Sequence, residues 1–377
     1  MTNTEAGVKI YVGLPIFISV KVIFKGFLGR YFILIISNLI TNVAILFIMM
    51  LPGVILKKCK FCDASLGKGI SNLVLYIAQP ALIAYAYLSC ESSFADIWLS
   101  CLITFILSLL VHGIFIGTAL LFFRREPEEK QKMLRFVTVF ANAAFMGIPL
   151  IQSMLGAEAA IYASIYNISF NLFLWTFGVY LCTRHRGEDL DMDGDCDLAD
   201  EIIALGRSTK GELSVKKVLL HPVTLASVIG ILLLAFGVNV ELLESSGLTI
   251  VSDSLEMLKN LVAPLSMTVI GLRLATLDMK GTLRDAGMYV FLALRHIALP
   301  LITVLLIFIL KLIGIPVDGM TATVTVILAA TPAASSATMF AEKYDCDANY
   351  TSRLVVISTI LSIATMPLIL FITGLIL

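Results

Sequence analysis

The sequence predicts an all-α integral membrane protein with ten transmembrane helices in two inverted five-helix repeats. Three observations predict it: an apolar composition, ten apolar runs of spanning length, and basic residues confined to alternate connections. Hydrophobic residues make up 59% of the 377-residue chain and charged residues 14%, where a soluble domain averages about 25% charged. Mean hydropathy is +0.96. Such a chain cannot cover its apolar surface in water, and the bilayer becomes its expected partner; ten spans of about 20 residues leave no room for a separate soluble domain. The net formal charge is zero. With no basic face to hold a phosphate backbone, nucleic acid drops out as a partner.

Residues 1–30 form an amino-terminal extension, in which Lys9, Lys21, Lys25 and Arg30 surround an apolar stretch. Three readings stay open for it: an interfacial helix, an extra span, or an upstream extension of the coding start; its charges do not follow a signal-peptide layout. The first repeat, 31–183, holds apolar runs near 31–56, 70–90, 98–123, 136–155 and 157–183. Residues 184–217 are polar and acid-rich and are expected to be a mobile cytoplasmic loop. The second repeat, 218–377, holds runs near 218–238, 255–275, 287–312, 320–340 and 352–376.

Short cytoplasmic loops retain Lys and Arg, and outer loops lack them. Lys57, Lys58, Lys60 and Lys68 follow the first run, Arg124, Arg125, Lys130, Lys132 and Arg135 the third, and Arg184, Arg186, Lys216 and Lys217 flank the central loop. The connections ESSFAD, GAE and NVELLESSGLTIVSDS carry none. Five spans per half force the second half to enter the bilayer in the opposite sense, so any structural repeat is inverted. Prolines support one: Pro80 and Pro149 are 69 residues apart, and Pro264 and Pro332 are 68 apart, in matching spans.

Proline in a helix interior removes a donor and clashes with the carbonyl four residues earlier. Bare polar backbone at membrane depth is tolerated only against protein or a wet cavity. Pro149, with Gly147 before it, and Pro332, followed by Ala333, Ala334, Ser335 and Ser336, are therefore expected to break the fourth and ninth spans. Small side chains let the broken helices cross closely, and the half-helix amino termini favour an anion between them. A kink without a ligand is the competing reading of either proline taken alone.

The segment FANAAFMGIPLIQSMLGAEAAIYASIYNISFNLFLWTFGVYL resembles the fourth and fifth spans of the auxin efflux carrier family, and HPVTLASVIGILL, APLSMTVIGLRL and ILAATPAASSATMFAEKYDCDANYTSRLVVISTILSIATMPLIL extend the similarity over residues 31–377. The resemblance implies crossed, proline-broken fourth and ninth helices around a substrate site, with Asn142 at the first crossing and Pro332 at the second. It also implies a secondary transporter of small carboxylates, such as a dicarboxylate or an auxin-like acid, working by alternating access in the plasma membrane. His221 stands where the family commonly has Asn, and the central loop is far shorter than in the long plant exporters, which weighs against an auxin substrate. A sodium-coupled organic anion symporter of the bile-acid type is the alternative within transport.

The expected substrate-binding residues are Gln79, Asn142, Gly147, Pro149, Asn167, Asn171, Pro332, Ala333, Ser335 and Ser336. Asn167 and Asn171, four apart, share one helical face; interhelical hydrogen bonding is their plainer reading. Ser266 is the counterpart of Gln79 beside Pro264. Lys259 is open to two equal readings, attracting an anion or snorkelling to the interface, and Arg295 and His296 are expected to snorkel to the cytoplasmic headgroups; His112 is the one titratable group near mid-membrane. No Asp or Glu falls deep in a span, which argues against a carboxylate proton relay; coupling to a proton or sodium gradient, and a homodimeric assembly, stay open. No catalytic constellation is visible. Cys59 and Cys62 lack a second ligand pair, and the DMDGD stretch lacks the twelfth-position Glu of a calcium loop, so neither a cofactor nor a metal is expected.

Overall fold

The computed structural model describes residues 41–42, 44–63, 65–183, 220–275 and 284–376; the amino-terminal extension and the loop 184–217 lie outside them. Twelve helical elements are named here: α1 (Leu51–Lys58), preceded by helical residues at 41–42 and 44–48, α2 (Leu66–Leu88), α3 (Phe94–Phe122), α4 (Glu128–Val139), α5 (Ala143–Thr183), α6 (Pro222–Ala235), α7 (Val240–Ser245), α8 (Thr249–Leu274), α9 (Ala286–Leu312), α10 (Gly319–Ala330), α11 (Ser336–Lys343) and α12 (Ala348–Ile376). Among the described residues the only β pairing is an isolated antiparallel bridge between Ala141 and Ala333.

Six elements, α2, α3, α5, α8, α9 and α12, are long and apolar enough to cross a membrane, and α6 and α10 are apolar but shorter. The sequence leads one to expect ten spans. Part of the difference lies in α5, whose 41 residues at 1.5 Å each would be about 60 Å long, twice a hydrocarbon core. Gly156, at φ 85° and ψ −166°, turns the chain there in a backbone region that glycine adopts without steric cost, so 143–155 and 157–183 are separate helices. The fourth and ninth expected spans are each interrupted, at 140–142 and 331–335.

The prolines act less sharply than expected. Pro149 does not break its helix: the chain leaves helical geometry seven residues earlier, around Asn142, and re-enters through a π-helical turn, Ala143–Gly147, that delivers Pro149 to the first α-helical turn. Pro80 and Pro300 likewise follow π turns, at Val74–Ala78 and Leu294–Ala298. The residue just before each proline donates to the carbonyl five back: Gln79 to Val74, Ile148 to Ala143, Leu299 to Leu294. Widening the turn in this way accommodates a ring that would strike the carbonyl four residues earlier.

Packing rests on close backbone approach. A Cβ on Gly271 would lie 2.0 Å from the Met50 carbonyl oxygen, and one on Gly53 would lie 2.1 Å from that of Thr268. Hence α1 and α8 meet backbone to backbone, the contact that small residues allow between apolar helices. A similar close contact joins α2 and α6, where a Cβ on Gly230 would lie 2.2 Å from the Tyr87 ring. The helices that lead into the interruptions are buried: residues 131–139 of α4 and all of Val324–Ala330.

Candidate functional site

The two interruptions meet. Asn142 N–H donates to the Pro332 carbonyl at 2.7 Å and Ala334 N–H to the Phe140 carbonyl at 2.8 Å, so two short extended stretches satisfy each other's backbone where no helix does. The Asn142 side chain adds a bond from Nδ2 to Ser335 Oγ at 3.2 Å. Ser358 on α12 accepts from Ala333 N–H at 2.9 Å. Four helix ends converge here, with the amino ends of α5 and α11 and the carboxyl ends of α4 and α10. The first N–H groups of each amino end have no intrahelical acceptor and carry partial positive charge.

Beside this crossing lies a cavity of about 640 Å3, within the range of small-molecule sites. Gln79, Asn142, Asn167, Asn171 and Ser336 line it; Gly147, Pro149, Pro332, Ala333 and Ser335 do not. Gly147 instead packs against Leu328, to which a Cβ would come within 2.5 Å, and Ser335 is taken up by Asn142 and by Arg273, whose Nη1 donates to the Ser335 carbonyl. Asn167, Asn171 and Trp175 form one stripe of α5 along the wall, with Phe145, Phe170 and Phe340 supplying apolar surface.

Several buried polar atoms of the wall have no partner among the described residues: Gln79 Oε1, Asn167 Oδ1, Asn171 Nδ2, His221 Nδ1 and Thr338 Oγ1. Leaving such an atom dry costs about 1–3 kcal/mol, so five converging on one cavity point to water or a ligand there. Gln79 is held in place by its amide, which donates to the Ala144 carbonyl. Ser266, the expected counterpart of Gln79, is buried with its hydroxyl unpartnered among the described residues but is not part of this wall. Basic lining residues (Lys57, Lys68, Arg273, Lys343) outnumber acidic ones (Asp63, Glu342), so the lining carries a net positive formal charge.

Arg295 corrects the snorkelling expectation. It is fully buried, and its guanidinium donates to the carbonyls of Thr138 (3.2 Å), Ala329 (2.9 Å) and Thr331 (2.9 and 3.1 Å). Its neighbour His296 is buried too, with Nε2 2.9 Å from Ser358 Oγ and Nδ1 2.9 Å from Thr365 Oγ1. A neutral ring with its proton on Nδ1 satisfies both contacts, since the Ser358 hydroxyl then donates to Nε2 while accepting from Ala333. Lys259 does not reach freely outward either: it bonds Glu256 at 3.1 Å and lies 3.6 Å from the centre of the Tyr85 ring, a cation–π contact. His112 is buried among Phe115, Tyr166, Phe170 and Phe173, with Nδ1 2.7 Å from the Ser108 carbonyl, and it does not line the cavity.

Sequence reasoning missed Arg273, Trp175 and Thr338 on the wall and Arg295 beneath the crossing. Arg273 stands at the end of an apolar run, where a basic residue reads as an interface anchor. Only its position facing the second interruption distinguishes it. Among the described residues no group of His, Cys, Asp and Glu is disposed to hold a metal.

Comparison with known proteins points to membrane transport. Residues 38–370 match the family described as membrane transport protein (Mem_trans). An "uncharacterized transporter" of Methanothermobacter thermautotrophicus is 24% identical over 325 residues, covering 85% of this chain and 94% of that relative. The match takes in α1 to α11 and most of α12, so both interruptions and the cavity between them lie inside it. The chain therefore belongs to the membrane transport protein family and is a membrane transporter.

Proposed function

We propose that the protein is a secondary transporter of small organic anions bearing a carboxylate, and that Asn142 and the amide-lined cavity beside it bind the substrate. The observation that carries this reading is the crossing of two interrupted segments, paired through Asn142 and Pro332, at a cavity where amide atoms of Gln79, Asn167 and Asn171 lack partners among the described residues. Helix amino ends and side-chain amides offer donors to a carboxylate, and the basic excess raises its local concentration. The aromatic wall suits an apolar body attached to it.

The fold proposed for it has ten spans in two inverted five-helix repeats. The paired contacts support this: α1 with α8 and α2 with α6 are the two exchanged pairings that an inverted two-fold relation requires, and each is made through a glycine. In the same scheme α4 with the first part of α5, and α10 with α11, are the fourth and ninth spans. Alternating access then means that the crossing and its supports shift against the α1, α2, α6 and α8 group. The cavity reaches Lys57, Lys68 and Lys343, basic residues that belong on the cytoplasmic side of a plasma-membrane carrier, so this arrangement is inward-facing.

A counterflow panel in proteoliposomes tests the reading, with malate, malonate, indole acetate and other acids presented at two pH values, with and without sodium. Exchange of at least one carboxylate, competed by others of its class, is expected. Exchange of amines or neutral solutes in place of every acid would remove the anion from the proposal. Flux only in sodium would favour the bile-acid-type alternative.

A further inference from the structure

Two helices that end side by side present a problem that their sequence neighbours cannot solve. The last carbonyls of α4 and α10 have no intrahelical donors, and each carries the negative end of its helix dipole. Brought together inside the protein, they repel and demand a cation. In carriers with broken helices such carbonyl ends can coordinate a sodium ion. Here Thr138 is the penultimate residue of α4, Ala329 the penultimate residue of α10, and Thr331 the cap that follows it. All three carbonyls accept from one guanidinium.

The side chain is built into its place. The π turn at Leu294–Ala298 widens α9 where Arg295 stands, the guanidinium lies 5.4 Å from the Phe115 ring centre, and the next residue, His296, supports Ser358 beneath Ala333. Among the described residues no carboxylate forms an ion pair with Arg295. Backbone carbonyls are its only hydrogen-bond partners there. A buried arginine without a counter-anion is costly unless something else needs its charge, and the converging helix ends supply that need.

We infer that Arg295 is a resident cation: its guanidinium holds the carbonyl ends of the two interrupted helices where a coupling sodium ion would otherwise sit, and transport therefore proceeds without sodium at the crossing. It is a positioning residue, since it does not line the cavity. The inference rests on the crossing being the transport site. The planar fork is needed as well as the charge, because three carbonyls on two helices are met at once, which a compact ammonium cannot reproduce.

The test uses the full chain in proteoliposomes, with counterflow of whichever carboxylate the panel identifies, in sodium, potassium and choline media. Wild-type flux is expected to be the same in all three. Arg295→Met is expected to lose roughly a hundredfold, the effect of removing two or more charge-assisted bonds, and to regain part of it in millimolar guanidinium, which fits the same carbonyls. Arg295→Lys is expected to fall between the two. A purely packing role predicts no recovery with guanidinium. Saturable activation of wild-type flux by sodium, or wild-type flux from Arg295→Met in choline, overturns the inference. Should the wild-type chain carry no acid in any medium, the transport reading fails on its own, and thermal unfolding in detergent then decides the cation role. Arg295→Met is expected to melt lower than wild type and to recover with guanidinium, with wild type indifferent to sodium; stabilisation of wild type by sodium, or an unchanged melting temperature in Arg295→Met, rejects it. If Arg295→Met does not accumulate, Arg295→Lys and the sodium response of wild type carry both readouts.

Discussion

Asn142 makes two kinds of contact at once. Its backbone N–H closes the pairing with Pro332 and its side chain bonds Ser335, while it also borders the cavity. Truncation to Ala leaves the backbone pairing in place and removes the amide, so folding is expected to survive. Asn142→Ala is expected to reduce counterflow at least tenfold, the effect of losing one charge-assisted bond to a carboxylate, with the elution profile in detergent unchanged. Asn142→Asp places a negative charge beside the same anion and is expected to be worse than Ala. Equal flux in wild type and both variants would sink the assignment of Asn142 to the site. This residue was legible in the sequence because a polar side chain inside an apolar span is uncommon and because the family resemblance implies a polar residue at the first crossing. Arg273 and Arg295 were not, since a basic residue near a span end has a sufficient explanation in the interface, and only the path of a second, distant segment shows that these two point at backbone carbonyls.

At the scale of elements, the apolar runs placed the helices well and the prolines placed the irregularities only nearby. Pro149 marks its interruption from seven residues away because a π turn absorbs the ring clash and leaves the true break to Asn142; no local pattern encodes that distance. Gly156 was legible as part of a loop, and it is the residue that divides α5. Two elements carry predictions. Where α1 crosses α8, Gly271→Ala adds a carbon 2.0 Å from the Met50 carbonyl, which cannot yield as a side-chain tip would. The helices must separate, and a loss of about 1–3 kcal/mol is expected for this overpacking, read as a lower melting temperature; Gly113→Ala, with open space around it, is the control that should not move. At the start of α10, Asp318 accepts from Thr321 N–H, Thr321 Oγ1 and Ser100 Oγ, each at 2.7 Å. Burial pushes its carboxyl up, but these hydrogen bonds outweigh that and hold it below the usual aspartate value. A depressed folded-state pKa means that the stabilisation is complete above the unfolded value of about 4 and is lost as pH falls through the lower folded value. The melting-temperature gap between wild type and Asp318→Ala is therefore expected to be constant from pH 7 to about 4 and to close only below that; a gap that closes near pH 6 would assign the effect to another group. At neutral pH the gap should correspond to about 0.5–2 kcal/mol, the usual worth of such a cap.

For the whole molecule, the decisive property is which side of the membrane reaches the crossing. The cavity runs from Lys57, Lys68 and Lys343 to Asn142, while on the far side Asp318, Ser100 and Thr321 tie α3 to α10 and Ser92 and Tyr162 both bond Glu158 at 2.7 and 2.8 Å. The cavity extends to one set of connections, and bonded side chains tie the helices at the other. A cysteine at Thr338, whose hydroxyl belongs to the wall and has no partner among the described residues, reports this directly once the chain's seven native cysteines have been replaced. A membrane-impermeant thiol reagent is expected to label Thr338→Cys from the side bearing Lys57 and Lys68, and the carried acid is expected to slow that labelling by occupying the cavity. From the opposite side labelling should be slow and should rise only when the carrier is turning over, because access there requires the Glu158 and Asp318 contacts to part. Rapid labelling from the opposite side with no substrate present would show a through-going pore, and a channel would then replace alternating access as the account of how this molecule moves its solute.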